Sequence, residues 1–267
     1  MRTEIPSEQI AAYRENGFTI IEEFLTPEEL EEWRAAVDET VTERGLYRPP
    51  TERAGENAGY YTRVFIQSLN MWQESDRIKE LVLDPRIGKM CCDLEGIDGI
   101  RVWHDQALIK EPWGNQTSIH LDNPYWSFSS RHAISIWVAL DDVTVENGCL
   151  HFLPGTHKTA TWENVGIGQN MADIFSIYPE WAKIESASGP MRAGSCSFHN
   201  GLLAHGAGAN MTNGYRRAMT CAYMPDGSTF NGQRNILKDE QIARLEVGDV
   251  LRDPAQNPMV YPVAADN

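Results

Sequence analysis

The period of the apolar positions changes near residue 100. Before it, apolar side chains recur at helical spacing. Leu30, Trp33, Val37 and Val41 put one buried face on a helix. Thr26-Pro27-Glu28-Glu29 supplies that helix with a cap, a proline at its first position and acids in its first turn. An earlier helix is expected over SEQIAAYRENG, with Ser7 as N-cap and Gly17 as its stop. FTIIEEF (18–24) reads as a short apolar strand, and two short helices fill 73–95. The Gly-, Pro- and charge-rich stretch 45–60 reads as a mobile loop.

After residue 100, strand-length segments alternate with turn signals. They are IRVWHDQALIK (100–110), AISIWVALDDV (133–143), CLHFLP (149–154), SCSFHN (195–200) and RRAMTCAYM (216–224). Many short strands separated by Gly, Pro and Asn predict a β-sandwich or jelly roll. The stretch 159–190 reads as an insertion over one end of the sheet, and the polar tail after 226 as a loosely packed extension. The expected division is a mostly helical support over 1–98, a β core over 99–226 and a tail over 227–267.

Composition narrows the class. The formal charge of −15 argues against nucleic acid and anionic membrane as partners. No apolar run reaches the length of a membrane span, and MRTEIPSEQI lacks the apolar core of a secretory signal. Five cysteines without a C-x-x-C pair make a disulfide framework an unneeded assumption. A reducing, cytoplasmic location is expected.

The segment SIHLDNPYW contains His120-x-Asp122. On an extended strand, residues i and i+2 face the same side, so both can reach one ion. His205, in LLAHGAGAN, is the best third ligand. Two histidines and one carboxylate form the facial set of non-haem iron oxygenases and leave coordination positions open. Arg216 follows His205 by eleven residues and opens a strand. A buried arginine there can hold a carboxylate in a two-point fork.

Three blocks carry a resemblance: His120-x-Asp122, SIWVALDDVTVENGCLHFLPGTHK (135–158) and FHNGLLAHGAGANMTNGYRRAMTCAYM (198–224). In these the chain resembles the phytanoyl-CoA dioxygenase family. The resemblance implies a mainly β fold with flanking helices: a double-stranded β-helix, the cupin-like jelly roll, in one domain over 1–267. It also implies an Fe(II)- and 2-oxoglutarate-dependent dioxygenase that consumes O2 and releases succinate and CO2. His120, Asp122 and His205 match the metal ligands, and Arg216 the anchor of the far carboxylate of 2-oxoglutarate. Trp137 and Lys110 match residues lining the co-substrate site. Arg217 faces the other way on its strand. Family members often carry a hydroxyl residue two positions after the distal histidine, where this chain has Ala207. An intact Asp122 points to hydroxylation, or to desaturation, rather than halogenation.

The expected partner is a small-molecule substrate. Gln106 is expected to point into the barrel near the metal, with Asn123, Tyr125 and Trp126 at the pocket rim. Arg131 and Arg192 are available to an anionic group. His199 is read either as support for the metal site or as an ordinary strand histidine. His104, His132, His151 and His157 are assigned structural roles. The alternatives are an acyl-CoA 2-hydroxylase of the same family, a cupin-type oxygenase without 2-oxoglutarate, and a jelly-roll binding module.

Overall fold

The computed structural model describes residues 1–48 and 59–263. Most of the 45–60 loop therefore lies outside the described residues. Helix α1 (Ser7–Asn16) stops at Gly17, whose φ of 84° suits glycine. Ser7 is the first helical residue rather than the cap: Pro6 holds the cap position and no side chain bonds the helix end. Strand β1 (Phe18–Ile21) is shorter than the apolar run suggested. Helix α2 (Pro27–Glu43) begins with the expected box, in which Thr26 Oγ1 accepts from Glu29 N and Glu29 Oε2 accepts from Thr26 N. Strand β2 (Ile66–Leu69) and helices α3 (Asp76–Val82) and α4 (Pro85–Glu95) complete the N-terminal part.

Strands β3 (Ile100–Lys110), β4 (Thr117–His120), β5 (Ile134–Ala139), β6 (Leu150–Phe152), β7 (Ala187–Gly189), β8 (Cys196–Asn200), β9 (His205–Ala207), β10 (Arg216–Pro225) and β11 (Met259–Tyr261) follow. They form two antiparallel sheets. The seven-stranded sheet runs β1-β8-β5-β10-β3-β11, with β2 also paired to β3, and the four-stranded sheet runs β4-β9-β6-β7. This is the expected jelly roll.

The two faces of the larger sheet explain the sequence of its strands. Ile134, Ile136 and Val138 of β5 join Met219, Cys221 and Tyr223 of β10 in the core beneath Trp33, Val37 and Met90 of the helices. The alternate residues, Ser135, Trp137 and Ala139, face the smaller sheet. Strand β5 is buried at every position, so its polar–apolar alternation separates core from cavity rather than core from water. The outward Arg217 pairs with Asp141 at 2.7 Å and with Asp38 of α2, as its position on the strand predicted.

The insertion 159–190 packs Ile174, Tyr178 and Trp181 on Leu121, Leu153 and Leu202. The tail differs from expectation. Phe230, Leu237 and Leu251 are buried with Trp103, Trp126 and Phe128, and β11 pairs with β3. Its apolar residues are too widely spaced to show a period, yet they converge on one cluster. Phe230→Ala is expected to lower the unfolding free energy by about 3–5 kcal/mol in a urea titration. A loss below about 1 kcal/mol would mean the tail is not part of the core. No described helix is long and apolar enough to cross a membrane.

Candidate active site

Strand β4 delivers His120 at its end, but Asp122 lies beyond the strand. Asp122 has αR backbone angles, φ −81° and ψ −51°, and leads into a 3-10 turn over Asn123–Tyr125. The two residues therefore converge across a strand-to-turn junction, not along one strand face. Two backbone bonds pin the junction: Asp122 N and Asn123 N both donate to Gly201 O, at 3.1 and 2.8 Å.

His205 stands directly opposite His120 in the β4–β9 pairing. A Cβ on the next residue, Gly206, would lie 2.6 Å from Thr117 O, so glycine is what lets β9 approach β4 this closely. Both histidines are oriented alike. His120 Nδ1 donates to Ser118 O at 2.8 Å and His205 Nδ1 donates to Leu203 O at 2.9 Å. Backbone carbonyls only accept, so each Nδ1 carries the proton and each Nε2 keeps its lone pair. Those Nε2 atoms lie 3.4 and 3.9 Å from Asp122 Oδ1. One ligand atom from each of the three residues falls within a 4.8 Å group.

The second oxygen of Asp122 is held from the larger sheet. His199 Nε2 and Ser135 Oγ each approach Oδ2 at 3.4 Å. Of the two readings of His199, the geometry fits the supporting one. Burial alone would raise the Asp122 pKa, but His205, His120 and His199 hold it well below the usual carboxylate range. Burial pushes His205 down to about 3. A charged carboxylate beside a neutral imidazole is the ligand state that a divalent metal requires.

Arg216 opens β10 and is 2% exposed. Its Nη1 donates to Leu108 O at 3.3 Å, its Nε has no partner, and its guanidinium lies 5.2 Å from the Trp137 ring centroid. No described acid forms an ion pair with it. Burial lowers its pKa to about 10. A buried, unpaired guanidinium on an aromatic face is built to meet an anion.

Lys110 pairs with Arg216 in the strand register, but it does not line the cavity. Its Nζ is fully buried, donates to Asn115 O at 2.6 Å and Val64 O at 3.3 Å, and lies 3.4 Å from Thr117 Oγ1. The expected direct contact with co-substrate is corrected: Lys110 holds Thr117, and Thr117 reaches the cavity. Thr117 stands opposite Ala207 in the β4–β9 pairing.

Burial, followed by the charge of Arg216, pushes Lys110 down to about 6. Between that value and the unfolded lysine range, the unfolded chain binds the extra proton, so this group's contribution to stability rises with pH. The stability of the ligand-free protein relative to Lys110→Met should therefore gain about 2–3 kcal/mol from pH 7 to pH 9. Denaturant titrations at the two pH values measure it, and a flat difference would mean the lysine stays charged.

The triad and Arg216 share a cavity of about 380 Å³. Gln106, Trp126, Tyr125 and Trp137 line it as expected. Asn123 does not: it is fully buried, donating to Phe128 O and accepting from Ser130 N and Trp162 Nε1. It braces the turn that carries Asp122. Arg131 lies over Trp162 and donates to backbone carbonyls, Arg192 is exposed, and neither lines the cavity. His132 and His157 stay outside, bonded to Glu95 and to Arg14 O, and His151 faces Cys149 Sγ. His104, expected to be structural, lines the cavity. So do Tyr61, Gln67, Asn235 and Ile236, which no motif marked.

Residues 13–218 match the family described as Phytanoyl-CoA dioxygenase (PhyH). The chain belongs to the phytanoyl-CoA dioxygenase family. Within that family it is similar to the peroxisomal phytanoyl-CoA dioxygenase of Mus musculus, at 28% identity over 234 residues, covering 81% of this chain and 67% of that protein. Among solved structures it is similar to the non-heme alpha ketoglutarate dependent carbocyclase SnoK from nogalamycin biosynthesis. That match has 27% identity, a TM-score of 0.78 and 96% coverage of both chains. It is also similar to the epimerase SnoN in complex with Fe3+, alpha ketoglutarate and nogalamycin RO, at 25% identity and a TM-score of 0.75, covering 95% of this chain and 97% of that one. The family likeness thus extends over the helices and the sheets together.

Proposed function

We propose that the chain is an Fe(II)- and 2-oxoglutarate-dependent dioxygenase that hydroxylates an unactivated C–H bond of a small metabolite. One observation carries the reading: two histidines with their Nδ1 atoms tied to carbonyls, a charged carboxylate and an unpaired buried arginine all open on one cavity.

The donor set fits iron(II), which takes nitrogen and oxygen ligands and needs no thiolate. His120, Asp122 and His205 would hold it from one side. Arg216 fits the far carboxylate of 2-oxoglutarate, with the face of Trp137 fixing the guanidinium plane. When bound, the metal with the oxo-acid and O2 supplies the oxidising power for the C–H bond, with succinate and CO2 as by-products.

The chain's own work is orientation and exclusion of water. Ser135 and His199 keep Asp122 aimed at the two imidazoles. Leu108, Leu150 and Ala207 make the wall near Arg216 apolar, which strengthens its hold on an anion. The substrate enters against Tyr125 and Trp126, on the side of Gln106. The five cysteines are buried and unpaired, which supports a reducing compartment such as the cytoplasm.

Anaerobic titration with Fe(II) and then 2-oxoglutarate tests the reading. A visible metal-to-ligand charge-transfer band is expected, and its absence would overturn the assignment.

A further inference from the structure

The substrate half of the cavity contains polar groups that the metal and the oxo-acid leave unused. His104 is 6% exposed, and its buried Nδ1 has no hydrogen-bond partner among the described residues. Its only close polar-ring neighbour is Trp126, edge-on at 6.0 Å. Leaving a buried ring nitrogen unpaired costs about 1–3 kcal/mol. The cavity-lining face of β3 then continues with Gln106, two residues along.

Gln106 is held from one side only. Gln67 Nε2 donates to Gln106 Oε1 at 2.6 Å, and Tyr61 Oη donates to Gln67 Oε1 at 3.2 Å. The amide nitrogen of Gln106 has no partner among the described residues. Asn235 repeats the pattern from the tail. The indole N–H of Trp103 can only donate, so the Asn235 oxygen faces it at 3.3 Å and the amide NH2 is left over. Asn235 also adopts a φ of 40°, an unusual conformation for a residue with a side chain.

Among the described residues, formal charge is absent from this half. Among the described lining residues, Arg216 and Asp122 are the formal charges, and both belong to the co-substrate and metal positions. The remaining walls are Tyr61, Phe65, Leu69, Trp126, Ile167 and Ile236. Among the described residues, no charged side chain in this half answers a phosphate or a carboxylate.

We propose that His104 and Gln106 form a two-point hydrogen-bonding clamp for the hydroxyl or carbonyl oxygens of a compact, uncharged, lipophilic substrate, with Asn235 reading a third oxygen at the mouth. This rests on the dioxygenase reading and names the substrate class for the same cavity. His104 is a specificity-determining residue in it. The clamp sets which face of an otherwise apolar body is turned to the metal, because an apolar wall alone does not fix orientation.

The test uses the protein loaded anaerobically with Fe(II) and 2-oxoglutarate, with binding followed by calorimetry. The probes are decalin-1,5-dione, its parent hydrocarbon decalin, decanoyl-CoA and glycine betaine. The diketone is expected to bind about tenfold or more tightly than decalin, and more tightly than the two charged probes. His104→Phe keeps an aromatic ring against Trp126 and should erase most of that preference, while His104→Asn restores part of it. The clamp is overturned if the diketone and decalin bind alike, if no probe binds, if either charged probe binds more tightly, or if His104→Phe keeps the preference. The charge-transfer band in the same samples reports the metal and oxo-acid separately. Loss of the band would overturn the dioxygenase reading, while calorimetry still decides the clamp.

Discussion

His120→Ala and Asp122→Ala are each expected to abolish substrate-dependent succinate release and to lower bound iron in the purified protein. Each change removes one of three protein donors that converge within 4.8 Å. No other acid or cysteine lines the cavity among the described residues to replace a lost donor. Asp122→Ala is expected to lower bound iron more, since Asp122 is the one negative formal charge lining the cavity among the described residues. His199→Gln separates support from ligation. It removes an approach to Asp122 Oδ2 but no donor to the metal, so iron affinity should fall about 10–100-fold with turnover retained at saturating iron. Iron content and succinate release, measured together, decide both points. Substantial turnover in the alanine variants would mean that the ligands are other residues.

Arg216→Ala is expected to raise the 2-oxoglutarate concentration for half-maximal rate by roughly two orders of magnitude. Removing one side of a buried, charge-assisted carboxylate pair costs about 2–5 kcal/mol, and about 1.4 kcal/mol is tenfold. Arg216→Lys keeps the charge but loses the planar fork and its seat on Trp137, and should fall between the two. Stability should move the opposite way. In the ligand-free protein Arg216 is a buried cation without an ion-pair partner, so Arg216→Met should melt no lower than the parent. Steady-state kinetics with 2-oxoglutarate as the varied substrate is the deciding measurement. An unchanged half-saturation value in Arg216→Ala would favour an oxygenase that does not use 2-oxoglutarate.

The clamp and the anchor make different demands on one strand pair. Thr220 stands opposite Gln106 in the β10–β3 register, between Arg216 at one end and Ala222 opposite His104 at the other. The inner face of this pair thus passes from anion anchor to neutral donors over a few residues. Substitutions to larger residues at Ala222 would press on His104 before they reached the metal.

Features that depend on a few neighbouring residues were legible in the chain. The Thr26 capping box, the αL stop at Gly17, and the cores of β3, β5, β8 and β10 lie where local spacing put them. So does the opposite orientation of Arg216 and Arg217, because alternation along a strand is a local rule. The resemblance carried His120, Asp122, His205 and Arg216 as a set, and the fold brings these four to one cavity.

Tertiary packing decided what covers each face. Whether Lys110 meets a ligand or internal polar partners depends on the loop at Asn115 and on β4, which no pattern around Lys110 reveals. Asn123 was placed at the rim by its closeness to Asp122, but the turn folds its amide inward onto Phe128 and Ser130. His104 looked like any strand histidine, and only the tail, lying against Trp103 and Trp126, makes its surroundings a chamber. The sequence by itself determined the elements, because short-range backbone geometry is written locally, while the candidate metal ligands and anion anchor came with the family resemblance. Only the tertiary structure decided which polar side chains remain unpaired in the cavity, because an unpaired group is defined by what every other element fails to bring to it.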